Sequence, residues 1–229
     1  MKKSLLLIAA LFCSTNLQAI EQQWTNVKLQ YNDYSYDGKS KAVLGRYEFI
    51  DNFYVMADYL EHESSYDRVR FDPTSGTNIP VHITRDYNVY GVGVGAYYDI
   101  TDSFTMNVEF ERSKSDDYEF FVEADEGFYL NPCPSFNECD TITSEYGRND
   151  TKLYNSSLTV NTSWAITENL VLSAGLLNRR NDESSSNTLL YRELGLSYFF
   201  TPELGLEYIR VERNGSDFHI NRFNIVYAF

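Results

Sequence analysis

A closed, antiparallel, membrane-spanning β-barrel of ten strands is the fold class this sequence predicts, and three observations lead to it. Apolar residues recur at period two in ten short segments, with Tyr, Trp or Phe toward the segment ends. Tight turns and longer connections alternate along the chain without exception. The opposite face of the same segments mixes Gly, Asn, Ser, Thr and charges. That face is too polar for the core of a soluble sandwich, but it suits the interior of a barrel ringed by lipid.

The chain of 229 residues opens on MKKSLLLIAALFCSTNLQA. Lys2 and Lys3 form a charged start, Leu5 to Phe12 an apolar core, and Leu17-Gln18-Ala19 a cleavage site. Residues 1–19 therefore read as a secretory signal peptide, and 20–229 as one barrel domain. The apolar core is too short to span a bilayer as a helix. Cys13 does not read as a lipoprotein site, because Phe12 stands where that processing wants a small residue.

Four stretches punctuate the barrel domain: FIDNF at 49–53, DITDSF at 99–104, AITENL at 165–170 and FTPEL at 200–204. Each sets two or three turn formers between apolar residues, a hairpin signal. An opening strand carries Val27, Leu29 and Tyr31 on one face. The first hairpin pairs Val43, Gly45, Tyr47 and Phe49 with Phe53, Val55, Ala57 and Tyr59. The second sets Tyr90, Val92, Val94, Ala96 and Tyr98 against Phe104, Met106, Val108 and Phe110. The third uses Leu158, Val160, Thr162, Trp164 and Ile166, returning through Leu170, Leu172, Ala174 and Leu176. The fourth runs through Leu194, Leu196, Tyr198 and Phe200, then Leu204, Leu206 and Tyr208. The longer connections are expected near 33–41, 63–86, 113–151, 180–188 and 213–217.

The last strand ends the chain as FNIVYAF, with Phe223, Ile225, Tyr227 and Phe229 on one face. A final aromatic after alternating apolar residues resembles the C-terminal assembly signal of the small outer-membrane β-barrel proteins of Gram-negative bacteria. That class contains the OmpA-type transmembrane domain and the OmpX-like surface proteins. The likeness runs from about residue 22 to Phe229. It implies an outer-membrane location, both termini in the periplasm, and handling by the outer-membrane assembly machinery. Outer-membrane lipid and lipopolysaccharide are the implied surroundings.

The same parity assigns charges to the lumen: Lys28, Arg46, Glu48, Asp58, Glu109, Glu111, Arg179, Glu193, Glu207 and Arg222. Both signs are present, so a paired network is expected, because unpaired buried charges cost several kcal/mol. Gly91, Gly93 and Gly95 leave room on one inner wall for long neighbouring side chains. At this strand number a lumen plugged by side chains is favoured over a narrow conducting path for small solutes. On the lipid-facing parity, beyond the apolar band, lie Arg112, Lys152, Arg180, Arg192 and Arg210. They fall on five successive strands at the long-loop end and are expected to meet lipopolysaccharide phosphates.

Net charge is −14, and loss of the two leader lysines makes it more negative still. That excludes nucleic acid as a partner. Residues 113–150 alone hold ten acids against Lys114 and Arg148, interleaved with aromatics such as Phe120, Phe121 and Tyr146. This acidic, aromatic loop is expected to meet a host or surface ligand. Alternation in YEFFVEA predicts strands continuing above the membrane, with Cys133 and Cys139 bridged as a disulfide in an oxidising compartment. The acids lack the ordered spacing of a calcium loop, and no metal or other cofactor is implied.

Two short matches touch catalysis. Asp217-Phe218-His219 resembles the Asp-His couple of omptin proteases, though their second acidic pair has no counterpart here. His62-Glu63-Ser64 resembles the His-x-Ser spacing of outer-membrane lipid A deacylases, without their other motif residues. The chain is therefore read as a non-catalytic structural or surface-interaction barrel, ahead of a narrow porin-like channel and a surface hydrolase.

Overall fold

The computed structural model describes residues 24–35, 38–72, 77–115, 118–128, 142–149, 153–181 and 188–229. The leader at 1–19, the Cys133–Cys139 pair and Lys152 lie outside the described residues. Twelve strands run in chain order among the described residues. They are β1 (Asn26–Tyr34), β2 (Gly38–Ile50), β3 (Phe53–Asp72), β4 (Thr77–Thr101), β5 (Phe104–Ser115), β6 (Tyr118–Phe128), β7 (Ile142–Asn149), β8 (Leu153–Ala165), β9 (Leu170–Asn181), β10 (Thr188–Phe199), β11 (Leu204–Arg213) and β12 (His219–Ala228).

Ten of them close a barrel, in the order β3-β2-β1-β12-β11-β10-β9-β8-β5-β4 and back to β3. Every neighbour is antiparallel. The seam joins the first strand to the last, from Asn26↔Ala228 to Tyr34↔Ile220. One further bond fastens the terminus, Phe229 N to Thr25 O at 3.2 Å.

The repeated turn sequences have a shared cause. The hydroxyls of Thr101, Thr167 and Thr201 each accept a backbone N–H two or three residues on, at 3.1–3.3 Å. A threonine at that point offers the chain a local partner while it reverses. The first turn has no threonine. It uses Asn52 in the left-handed region, φ 70°, with its N–H held by the Glu48 carboxylate at 3.1 Å.

Outside, the barrel is apolar where it would meet lipid. Val92 is 66% exposed and Leu194 65%, values a soluble domain would not sustain over a whole belt. Aromatic rings bound this belt at both ends. On the turn side lie Phe104 stacked on Trp164 at 4.9 Å and Tyr198 against Phe200 at 5.3 Å. On the loop side lie Tyr59 against Tyr90 at 5.1 Å and Tyr208 against Phe223 at 5.2 Å. Between Tyr98 and Tyr90, β4 climbs about 20 Å at ~3.3 Å per residue and ~40° tilt, near the height of a barrel's lipid band.

The connection expected as a loop at 63–86 is mostly strand. β3 loses β2 after Ser64↔Gly38, yet stays paired to β4 as far as Asp72↔Thr77. β4 is handed from β5 at Val89↔Ser115 to β6 at Asp86↔Glu119, and β6 pairs β7. A four-stranded antiparallel sheet, β3-β4-β6-β7, thus stands above the outer aromatic ring. On the parity that faces lipid lower down, β4 carries Thr84 and Asp86 there, and Asp86 is exposed. Strand alternation in water puts polar residues outward, as at Asp86.

Candidate functional site

The lumen is the most elaborated part of the molecule. Lys28 pairs with Glu207 at 2.7 Å, Arg46 with Glu109 at 2.5 Å, and Arg222 with Glu193 at 3.0 Å. Each pair joins strands that are not neighbours, Lys28–Glu207 and Arg222–Glu193 over one intervening strand and Arg46–Glu109 over two. Asn224 donates to Glu207 at 2.7 Å. The hydroxyl of Tyr54 donates to Glu109 at 2.6 Å. Seven of the ten sequence-assigned lumen charges are tied in this way or, for Glu48, by the Tyr97 hydroxyl at 2.5 Å. Glu48 sits apart, at the turn-side mouth. The other three, Asp58, Glu111 and Arg179, line the same cavity of about 290 Å³.

Space for these side chains comes from the glycine row on β4. The ring of Tyr54 lies over Gly95 and the carboxylate of Asp58 over Gly91, where an added Cβ would collide with them. The room expected for long Arg and Glu side chains is therefore taken mainly by Tyr54, Met56 and Asp58 of β3. In strand pairing these are the direct partners of Gly95, Gly93 and Gly91.

Both mouths are narrowed by aromatic groups, which the parity of the charges does not reveal. At the turn side, Trp24 is 4% exposed and stacks on Tyr54 at 5.0 Å and on Tyr97 at 4.5 Å. Arg46 lies over the Tyr54 ring, 5.6 Å from its centroid, within cation–π range. At the loop side, His62 is wedged between Tyr34, edge-on at 4.8 Å, and Tyr87 at 4.5 Å. Phe218 closes on Tyr34 and Tyr191, each at 6.3 Å. His62 stands beyond the outer aromatic ring. Burial pushes its pKa down to about 4, and among the described residues its Nδ1 has no hydrogen-bond partner.

The two catalytic resemblances meet different surroundings. His219 Nδ1 lies 3.2 Å from the carbonyl oxygen of Asp217 rather than its carboxylate. His62 is buried among rings and Ser64, on the same parity, is half-buried. At His219 the contact is with a backbone carbonyl and not with the carboxylate that would orient an imidazole toward water.

At the outer rim, Arg112, Arg180 and Arg192 are exposed and Arg210 is half-buried. Arg112 and Arg180 flank Ser156 in one cross-strand row. Arg210 turns toward Glu212 at 2.7 Å and Asn221 at 3.5 Å. Arg192 reaches Asn214 at 3.4 Å.

No protein family matches the chain by sequence, and neither does any curated protein. By shape the chain is similar to the KdgM porin in complex with disordered oligogalacturonate, at 12% identity over 89% of this chain and 99% of that one, TM-score 0.46. It is also similar to Ail, the attachment invasion locus protein of Yersinia pestis, at 10% identity over 88% and 92%, TM-score 0.31. A third similar structure is LpxR from Salmonella typhimurium, at 9% identity over 90% and 100%, TM-score 0.40. These likenesses concern the fold alone.

Proposed function

We propose that this chain is a non-catalytic outer-membrane barrel of a Gram-negative bacterium whose work is done above the membrane, where the β3-β4-β6-β7 sheet meets a partner at the cell surface. The observation that carries this reading is the contrast between the two ends of the molecule's strands. Inside the bilayer band, six of the ten lumen charges are spent on one another. Beyond it, β3 and β4 run on for a further dozen or so residues and recruit a hairpin rich in acids and aromatics. Long paired strands that run on beyond the aromatic ring form a sheet surface above the barrel, the kind of platform on which recognition is built. The FNIVYAF ending fits delivery by the outer-membrane assembly machinery. Arg112, Arg180, Arg192 and Arg210, with Lys152, are proposed to lie against lipopolysaccharide phosphates at the rim.

Full-length protein in lipid nanodiscs, applied to immobilised extracellular-matrix proteins and cultured epithelial cells, should give saturable binding to at least one. Replacing residues 116–152 by a short turn should remove that binding and leave the barrel folded. Equal binding by the shortened variant would sink the proposal.

A second reading has its own observation. A cavity still runs along the lumen, from Trp24, Phe199 and Ala228 at the turn side to Tyr34 and Tyr87 at the loop side. If the aromatic mouths open, the barrel becomes a narrow channel for small solutes.

A further inference from the structure

Three ion pairs cancel six of the ten sequence-assigned lumen charges. Glu48 and the exposed Asp99 stand at the turn-side mouth, and the exposed Arg213 stands at the loop-side mouth. Between the mouths this leaves Asp58, Glu111 and Arg179, two acids against one base. All three line the lumen cavity of about 290 Å³. Among the described residues none of them is in an ion pair.

The strands bring the two carboxylates together. Asp58 of β3 is the direct partner of Gly91, and Glu111 of β5 is the partner of Gly93, the next residue along the lumen face of β4. With no side chain on Gly91, both carboxylates lean over it. Glu111 Oε1 is 3.0 Å from where a Cβ there would stand, and Asp58 Oδ1 is closer still. Arg179 of β9 lies in the cross-strand row of Glu111, with the small Ser157 between them. A third acceptor faces the same cavity. Asn224 is 3% exposed, and because its amide nitrogen donates to Glu207 at 2.7 Å, Oδ1 is the atom left over. Among the described residues neither Asn224 Oδ1 nor Asp58 Oδ1 has a hydrogen-bond partner. Against these acceptors stands Arg46 Nε, an unpartnered donor whose charge Glu109 already cancels.

A carboxylate without a counter-charge is costly inside a narrow lumen, and a cation entering from a mouth relieves that cost. Acidic side chains lining a pore select cations by this means. We infer that Asp58, Glu111 and Arg179 form a charge filter, so that the opened lumen passes small cations in preference to anions. The two acids select, and Arg179 tempers them. This rests on the channel reading and names the class of solute that the channel takes.

The reversal potential of the refolded full chain in planar bilayers, measured in a KCl gradient, tests it. Trp24→Ala supplies the open lumen, and its current should favour K⁺ over Cl⁻ by about tenfold. In that background, Asp58→Asn with Glu111→Gln should bring the ratio to one or below, because Arg179 then stands alone. Arg179→Gln should raise it. Changes that merely loosen the barrel would not move the ratio in opposite directions. Replacing residues 116–152 should leave the preference in place, since salt screens charges outside the pore. Anion preference in Trp24→Ala, a ratio that the acid pair does not change, or loss of preference with 116–152 would overturn the filter and leave the channel standing. If Trp24→Ala passes no current, adding Tyr34→Ala and Phe218→Ala opens the loop side as well. Silence there too would overturn the channel reading, and this inference with it.

Discussion

Glu109 takes hydrogen bonds from Arg46 at 2.5 Å, Tyr54 at 2.6 Å and Asn107 at 3.4 Å, in a part of the lumen where its side chain is only 10% exposed. Removing it leaves the Arg46 guanidinium buried without its counter-charge. Breaking one side of a buried pair costs about 3–5 kcal/mol. Glu109→Ala should therefore lower the urea midpoint of the barrel substantially, and an unchanged midpoint would refute the network. His62 gives a pH test. Its imidazole titrates near the ordinary value when unfolded but only at about 4 when folded, so the unfolded state binds more protons between those values. The neutral native form is fully favoured above about pH 6.5, and stability falls as pH drops toward 4. His62→Gln should flatten that part of the stability profile; an identical slope in both proteins would contradict it. The lumen charges are legible at this scale because parity alone assigns them. Trp24 is not, since it precedes the first alternating segment and nothing in its spacing points to Tyr54 or Tyr97.

Among the elements, the ten membrane strands can be read from the sequence because lipid imposes one rule on all of them: apolar outward, aromatic at the ends. The extracellular parts of β3 and β4 escape that rule. Between Glu61 and Asn88 charged, polar and apolar residues fall on both parities, so a search for lipid-facing alternation stops there and 63–86 reads as a loop. YEFFVEA reads as strand because its alternation is self-contained. Its partner stays hidden, since pairing with Val81–Asp86 depends on a register that no local signal states. The seam is the element most exposed to error in assembly. β12 must find β1 along nine register positions and ends with Phe229 N bonded to Thr25 O. An open edge is not tolerated in hydrocarbon. Deleting Phe229 should reduce the heat-modifiable, folded fraction in outer-membrane preparations more than replacing residues 116–152 does. Equal assembly of the two variants would argue against the seam as the recognised end.

For the whole molecule, the acidic balance, the bridged lumen and the tall surface sheet describe one division of labour. The barrel holds its interior together with three ion pairs between non-neighbouring strands. The surplus negative charge collects outside it, ten acids falling within 113–150. What a sequence cannot convey at this scale is closure, because conduction depends on where Trp24, Tyr54 and Tyr97 stack and not on how many strands there are. The most direct test is single-channel recording of the refolded full chain in planar bilayers, beside Trp24→Ala. Wild-type protein should insert without steady current, and Trp24→Ala should show small, frequent openings as the turn-side stack is lost. A steady wild-type conductance that persists after residues 116–152 are replaced would contradict the closed-lumen account and favour the channel.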